Sequence, residues 1–220
     1  DERELLVNYF KSLKDTLLLK DIIERYKIKD AYLLEKIFLF LVDNISNFSS
    51  LNSIVKKIRQ EWIKTNHVTL WNYIKYLEQS FLIFSLQKYD LKWKRFFENE
   101  KKYYLNDLWF KNFLTSNYDL WLSKTLENYI FLILKRKWYQ IYIWWLKNWE
   151  IDFIWEKWWK KIYVQVCINL ENENVFKREI DPFFLIPEKE NFYLVTIWEN
   201  FLWNYKWINI VDVEWFEKFS

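Results

Sequence analysis

The sequence predicts a mixed α+β and α/β chain in two parts, a helical domain over residues 1–117 followed by an α/β domain over residues 118–220. Three observations carry this prediction. Apolar residues recur at helical spacing through most of the first half. Two helical segments joined by a short polar turn are then followed by two strand-like runs. From about Tyr118 the order changes to helix, three strands, helix, strand, the alternation expected of an α/β domain.

In the first part, Leu17, Leu18, Ile22 and Ile23 follow helical spacing, as do Leu33, Leu34, Ile37, Phe38 and Leu41. Ser49 or Ser50 can cap a helix carrying Ile54, Val55 and Ile58. A polar turn at Trp62–Asn66 leads to a second helix with Val68, Leu70, Tyr73, Ile74 and Leu77. Phe81–Tyr89 and Lys101–Leu105 are strand-like and flank the charged Lys92–Glu100. A helix-turn-helix followed by a hairpin with a basic tip is a winged helix. The residues it offers to nucleic acid are Asn66, Thr69, Asn72 and Lys75 on the second helix and Lys92, Lys94 and Arg95 at the tip. His67 is expected to be solvated at a helix start. A winged helix serves equally as a protein-interaction module, and this one has no arginine on its recognition helix to read guanine.

In the second part, Ser123–Lys137 is an amphipathic helix with Leu126, Tyr129, Ile130, Ile133 and Leu134 on one face. Strands are predicted at Gln140–Ile143, Glu150–Ile154 and Ile162–Ile168, the last two joined by a turn at Lys157–Lys160. A charged helix around Glu173–Ile180, strands at Phe192–Ile197 and Ile208–Val211, and a short tail helix complete the chain.

Composition adds an anomaly. The 220 residues include no glycine and sixteen tryptophans, where roughly 15 glycines and two or three tryptophans would be usual. Scarce alanine beside abundant Lys, Asn, Ile, Phe and Tyr indicates an AT-rich coding sequence, which thins glycine but cannot multiply tryptophan. Surplus and deficit together point to most of these tryptophans standing for glycine, as when an opal codon read as glycine in the source is translated as tryptophan. Asn148-Trp149, Lys137-Trp138, Trp158-Trp159 and Lys206-Trp207 sit where a turn or helix end is expected, places that favour glycine.

The remaining arithmetic excludes several classes. No apolar run reaches the roughly 18 to 20 residues of a membrane span, and no cleavable signal opens the chain, so a cytoplasmic protein without a membrane partner is expected. One cysteine, Cys167, cannot form an internal disulfide, and one histidine cannot support a Cys/His zinc site. The net charge of +3 is a weak pointer to anionic partners, because AT bias also enriches lysine. The chain starts at Asp1 and has no methionine, which suggests an internal or C-terminal fragment of a longer protein.

One constellation could carry chemistry. Glu127 lies mid-helix, Asp152 in the second strand and Gln165 in the third, within Gln165-Val166-Cys167. An acid on a helix, an Asp near a strand end and a Glu-x-Lys on the next strand make the divalent-metal site of the PD-(D/E)XK nuclease fold. Its carboxylates hold Mg²⁺ and its lysine helps to activate water. Here glutamine and cysteine replace the glutamate and lysine, so the catalytic set of Glu127, Asp152 and Gln165 is degenerate. Glu127 and Asp152 are the candidate Mg²⁺ ligands, and hydrolysis is expected to be weak or absent.

The same residues carry a resemblance. Trp149–Ile154, Ile162–Val166, Phe176–Ile180, Tyr103–Trp109 and Leu126–Ile130, with Lys20-Asp21-Ile22 near the start, look like the C-terminal region of prokaryotic AAA-type ATP-binding proteins. That region is a domain of unknown function that follows the ATPase module. The match reads Trp109, Trp121, Trp138, Trp149 and Trp207 as glycine. It implies a winged helix and a nuclease-like domain downstream of an ATPase module of the same chain, which alone would bind ATP; no Walker A spacing exists here, even with every Trp read as Gly. The expected function is a regulatory or binding region that recognises nucleic acid or a protein partner. An active Mg²⁺-dependent nuclease using Glu127 and Asp152, with Glu150 as a further ligand and Lys160 or Lys161 in place of the lost lysine, is the alternative. An oligomerisation module is the third reading.

Overall fold

A computed structural model describes residues 2–90, 95–114, 122–137, 140–146, 149–157, 160–187, 191–197 and 203–219. The predicted domain boundary at 117/118 and the wing-tip residues Lys92 and Lys94 lie outside them. The chain forms two compact units, residues 1–85 with 99–121, and residues 86–98 with 122–220. The protein is mixed α/β.

The first unit opens with α1 (Glu2–Asp15), which continues through a π-helical stretch (Thr16–Ile23) into α2 (Glu24–Tyr26). Two turns of apolar spacing at Leu17–Ile23 cannot separate a π-helix from an α-helix, so the sequence implies only helix there. Next is α3 (Ala31–Asp43), where the Asp30 carboxylate accepts the Leu33 N–H at 2.9 Å. Leu33, Leu34, Ile37, Phe38 and Leu41 are buried in its core-facing stripe. Its C-terminal carbonyls are capped by a buried lysine: Lys111, from α6 (Trp109–Leu114), donates to the Val42 and Asp43 oxygens at 3.0 and 3.2 Å.

After β1 (Phe48–Ser49) come α4 (Leu51–Gln60) and α5 (His67–Gln79). Ser50 caps α4 through a reciprocal pair with Ser53, each hydroxyl accepting the other's backbone N–H at 3.0 Å. Asn66 caps α5 by accepting the Thr69 N–H at 2.9 Å. Ile54, Val55 and Ile58 of α4 and Leu70, Tyr73, Ile74 and Leu77 of α5 are buried in the unit's core. Two successive capped helices are therefore present.

Between the helices, Trp62 takes the left-handed conformation (φ 62°) with its side chain 96% exposed. Its N–H bonds the Arg59 carbonyl at 3.0 Å and the Glu61 N–H bonds that of Ile58 at 3.1 Å, the closing pattern of a helix end where glycine is favoured.

Strand β2 is Ile83–Asp90, two residues later than the sequence suggests at its start, and β3 is Arg95–Leu105. Phe81 and Leu82 are used instead to end α5: Phe81 is left-handed (φ 56°), and the Leu82 N–H reaches the Leu77 carbonyl at 3.1 Å. In this unit β1 pairs antiparallel with β3, Phe48 opposite Lys102.

The second unit contains α7 (Leu122–Arg136), β4 (Gln140–Leu146), β5 (Trp149–Lys157), β6 (Lys160–Val166), α8 (Glu173–Ile180), a 3-10 turn (Asp181–Leu185), β7 (Phe192–Thr196), β8 (Trp203–Tyr205), β9 (Ile208–Asp212) and α9 (Val213–Phe219). Strands β4, β5 and β6 form an antiparallel meander. Strand β7 lies parallel to β6 and β9 parallel to β7, while β8 pairs antiparallel with β9. A parallel neighbour requires a crossover, and α8 supplies it between β6 and β7. Every residue of β7 is buried, as expected for a strand with parallel neighbours on both sides. Helix α7 packs on β4, β5 and β6, burying Leu126, Ile130, Phe131, Ile133 and Leu134 together with Glu127 and Asn128.

The antiparallel register of β4 on β5 shifts between Tyr142 and Trp144. Trp144 at this irregularity is buried, and its indole N–H has no hydrogen-bond partner among the described residues.

Candidate functional site

The chemistry-bearing side chains of the second unit gather where β5, β6 and α8 meet. One residue beyond the Phe153–Val164 pair of the β5–β6 ladder, Asp152 and Gln165 become neighbours. The Gln165 amide oxygen accepts the Asp152 backbone N–H at 3.2 Å, and its NH₂ donates to Glu179 Oε2 at 2.8 Å. This is the amide orientation that satisfies both partners. The Asp152 Oδ2 accepts the Val166 N–H at 3.0 Å. The other Glu179 oxygen accepts from Arg178 Nε and Nη2 at 3.1 and 2.7 Å. Asp152, Gln165 and Glu179 are all buried, whereas the Arg178 guanidinium is mostly exposed. A solvated cation thus balances a buried carboxylate, and a neutral amide spans the space between the two acids.

Two members of the expected set are therefore brought together and one acid is added. Glu127 is buried on α7, where Lys124 one turn earlier donates to its Oε2 at 3.3 Å. Glu179 escapes sequence reasoning because α8 also carries Glu173, an exposed acid paired with Lys177 at 2.7 Å. Only the helix's rotation against β6 distinguishes the two. Lys161 pairs with Glu156 toward the hairpin turn, with Lys160 opposite Lys157. Lys161 lies four residues along the strand from Gln165, about 13 Å at strand rise.

The donor set is engaged within the protein. Asp152, Glu179 and Glu127 each accept from a protein donor, and Gln165 points its NH₂ rather than its oxygen at Glu179. Among the described residues no group of three or more His, Cys, Asp and Glu could hold a metal ion.

Cys167, at the place of the expected lysine, is buried, and its Sγ–H donates to the Asn169 carbonyl at 3.2 Å. Burial, reinforced by the nearby Glu179 charge, pushes its thiol up to about 11. A thiol held that high is not a nucleophile at neutral pH. We expect iodoacetamide to label it at pH 8 only after unfolding. The raised folded value also stabilises the fold below the ordinary thiol range near 9, a contribution lost as pH rises through about 11. A urea midpoint for Cys167→Ser that falls over pH 9–11 as steeply as that of the parent protein contradicts this.

In the first unit, the side chains predicted to meet nucleic acid are partly committed elsewhere. Asn66 caps α5, Lys75 pairs with Glu78 at 3.1 Å, and Thr69 and Asn72 are half-buried. The His67 Nε2 lies 2.6 Å from Asn52 Oδ1. Arg95 opens β3, and its side chain is outside the described set.

Residues 1–118, which contain the capped helix pair, match the family described as Domain of unknown function (DUF8612). The chain belongs to this family. The chain is also similar to an uncharacterized protein of Haemophilus influenzae, 30% identical over 156 residues, covering 71% of this chain and 39% of that protein. It is also similar to an uncharacterized protein of Methanocaldococcus jannaschii, 27% identical over 189 residues, covering 82% of this chain and 40% of that one. The DUF8612 chain thus spans about two fifths of the length of these curated relatives. No solved structure matches it. Among its described residues no helix is long and apolar enough to cross a membrane.

Proposed function

We propose that this DUF8612 chain is a recognition module. In this reading α4, α5 and the strands after them act as a winged helix on nucleic acid. The second unit is a nuclease-like domain that has lost hydrolysis, and both serve an ATPase module elsewhere in the longer protein. The observation that carries the loss of hydrolysis is the Gln165 amide, hydrogen-bonded to Glu179 and to the Asp152 backbone, where a metal-dependent nuclease would present a third carboxylate to its cation. The order of α7, the β4–β6 meander, α8 and parallel β7 supports the nuclease-like part. The greater length of the relatives leaves room for a further module.

Incubation of the chain with labelled DNA and RNA in Mg²⁺ or Mn²⁺ tests the reading. Retention of intact nucleic acid without cleavage is expected, and Gln165→Glu with Cys167→Lys is expected to be needed before any metal-dependent cleavage emerges. Cleavage by the unaltered chain that Asp152→Asn abolishes would overturn it.

We also propose that most tryptophans stand for glycine in the natural protein. The left-handed, solvent-exposed Trp62 supports this, as does the Trp144 indole at a ladder irregularity, which has no hydrogen-bond partner among the described residues.

A further inference from the structure

Helix α4 carries Lys56, Lys57 and Arg59 and no acid. Beside it lies a groove of about 380 Å³ lined by Asn52, Val55, Lys56, Arg59, Gln60 and His67. Its charged lining is wholly cationic. Two hydrogen-bonded pairs set its walls: Arg59 Nε and Nη2 both donate to the Thr65 carbonyl, at 3.0 and 2.7 Å, and His67 meets Asn52. Arg59 therefore stands extended along the turn, with Nη1 left over for a ligand. Lys56 and Gln60 are exposed and make no hydrogen bond or ion pair within the described residues.

We infer that this groove, rather than the exposed face of α5, is where the chain grips the phosphate backbone of nucleic acid. The inference rests on the nucleic-acid reading above and names the contact that reading lacks. Lys75, the cation expected on α5, is paired with Glu78, whereas the cations of the α4 groove face no carboxylate of their own lining. Amide and guanidinium donors beside an ammonium suit the oxygens of a phosphodiester. Backbone contact of this kind is independent of sequence and depends steeply on salt. No tryptophan lines the groove, so its chemistry is the same whether or not the tryptophans are glycines.

The test is fluorescence anisotropy of a labelled random-sequence 20-base-pair DNA duplex titrated with the 220-residue chain at several salt concentrations. Lys56→Gln is expected to weaken binding about fivefold and to reduce the slope of log affinity against log salt by about 0.9, the effect of one lost phosphate contact. Lys57→Gln, the same charge change outside the groove, is expected to do clearly less. Equal losses from the two variants, or no loss from Lys56→Gln, overturn the groove while leaving nucleic-acid recognition standing. Absence of binding by the unaltered chain, or binding of a poly-glutamate peptide in preference to the duplex, overturns both.

Discussion

Replacing Gln165 with leucine is expected to lower the unfolding free energy by about 3 kcal/mol, read as a shift of the urea midpoint at unchanged slope. Leucine keeps the bulk but removes the amide from both of its partners. The Asp152 N–H and a Glu179 carboxylate oxygen then lose the hydrogen bonds described for them in a buried site. An orphaned buried polar group costs about 1–3 kcal/mol, more when it is charged. A second replacement, Glu179→Leu, removes the stranded charge and is expected to recover part of the loss, so the double variant should be more stable than the sum of the singles predicts. A loss under about 0.5 kcal/mol for Gln165→Leu, the range of ordinary surface substitutions, would mean that the bridge does not hold the second unit together.

Replacing Trp62 with glycine is expected to act in the opposite direction, raising stability by about 1 kcal/mol. Left-handed backbone costs a non-glycine residue roughly 1–2 kcal/mol, and glycine returns part of that gain through its larger unfolded-state entropy, roughly 0.5–1 kcal/mol. The Trp62 side chain is almost fully exposed, so little packing is lost. Trp71 is the control. It is half-exposed within α5, where glycine costs about 1 kcal/mol relative to a good helix former, so Trp71→Gly should destabilise. Peptides of the natural protein covering position 62 should be lighter than the tryptophan form by the Trp-to-Gly difference. An intact tryptophan there would refute the glycine assignment at that position.

Much of the fold was legible because it rests on local signals. The apolar stripes of α3, α4, α5 and α7 repeat at helical spacing, and the Ser50 cap announces where one of them starts. Start positions near strands were less legible. The predicted strand at Phe81 begins at Ile83 because Phe81 closes α5 in the left-handed conformation, a bulky residue where sequence rules look for glycine. Strand β8 (Trp203–Tyr205) was not predicted at all; it is three residues long and exposed along most of its length, so it carries no apolar alternation to read.

The candidate site divides in the same way. Asp152 and Gln165 could be placed on adjacent strands from the sequence, because a tight turn between two apolar runs sets them in one hairpin. Glu179 could not, since an acid on a short charged helix looks the same whether it faces solvent or sheet. The identity of the residues determined two things unaided: which of them could serve chemistry, and that the third strand carries an amide and a thiol at Gln165 and Cys167. Only the tertiary structure decided what those groups do. Packing α8 against β6 brings Glu179 to the Gln165 amide, and the burial that results favours a protein partner for each of these polar groups, so that Asp152, Gln165 and Glu179 join one hydrogen-bond network.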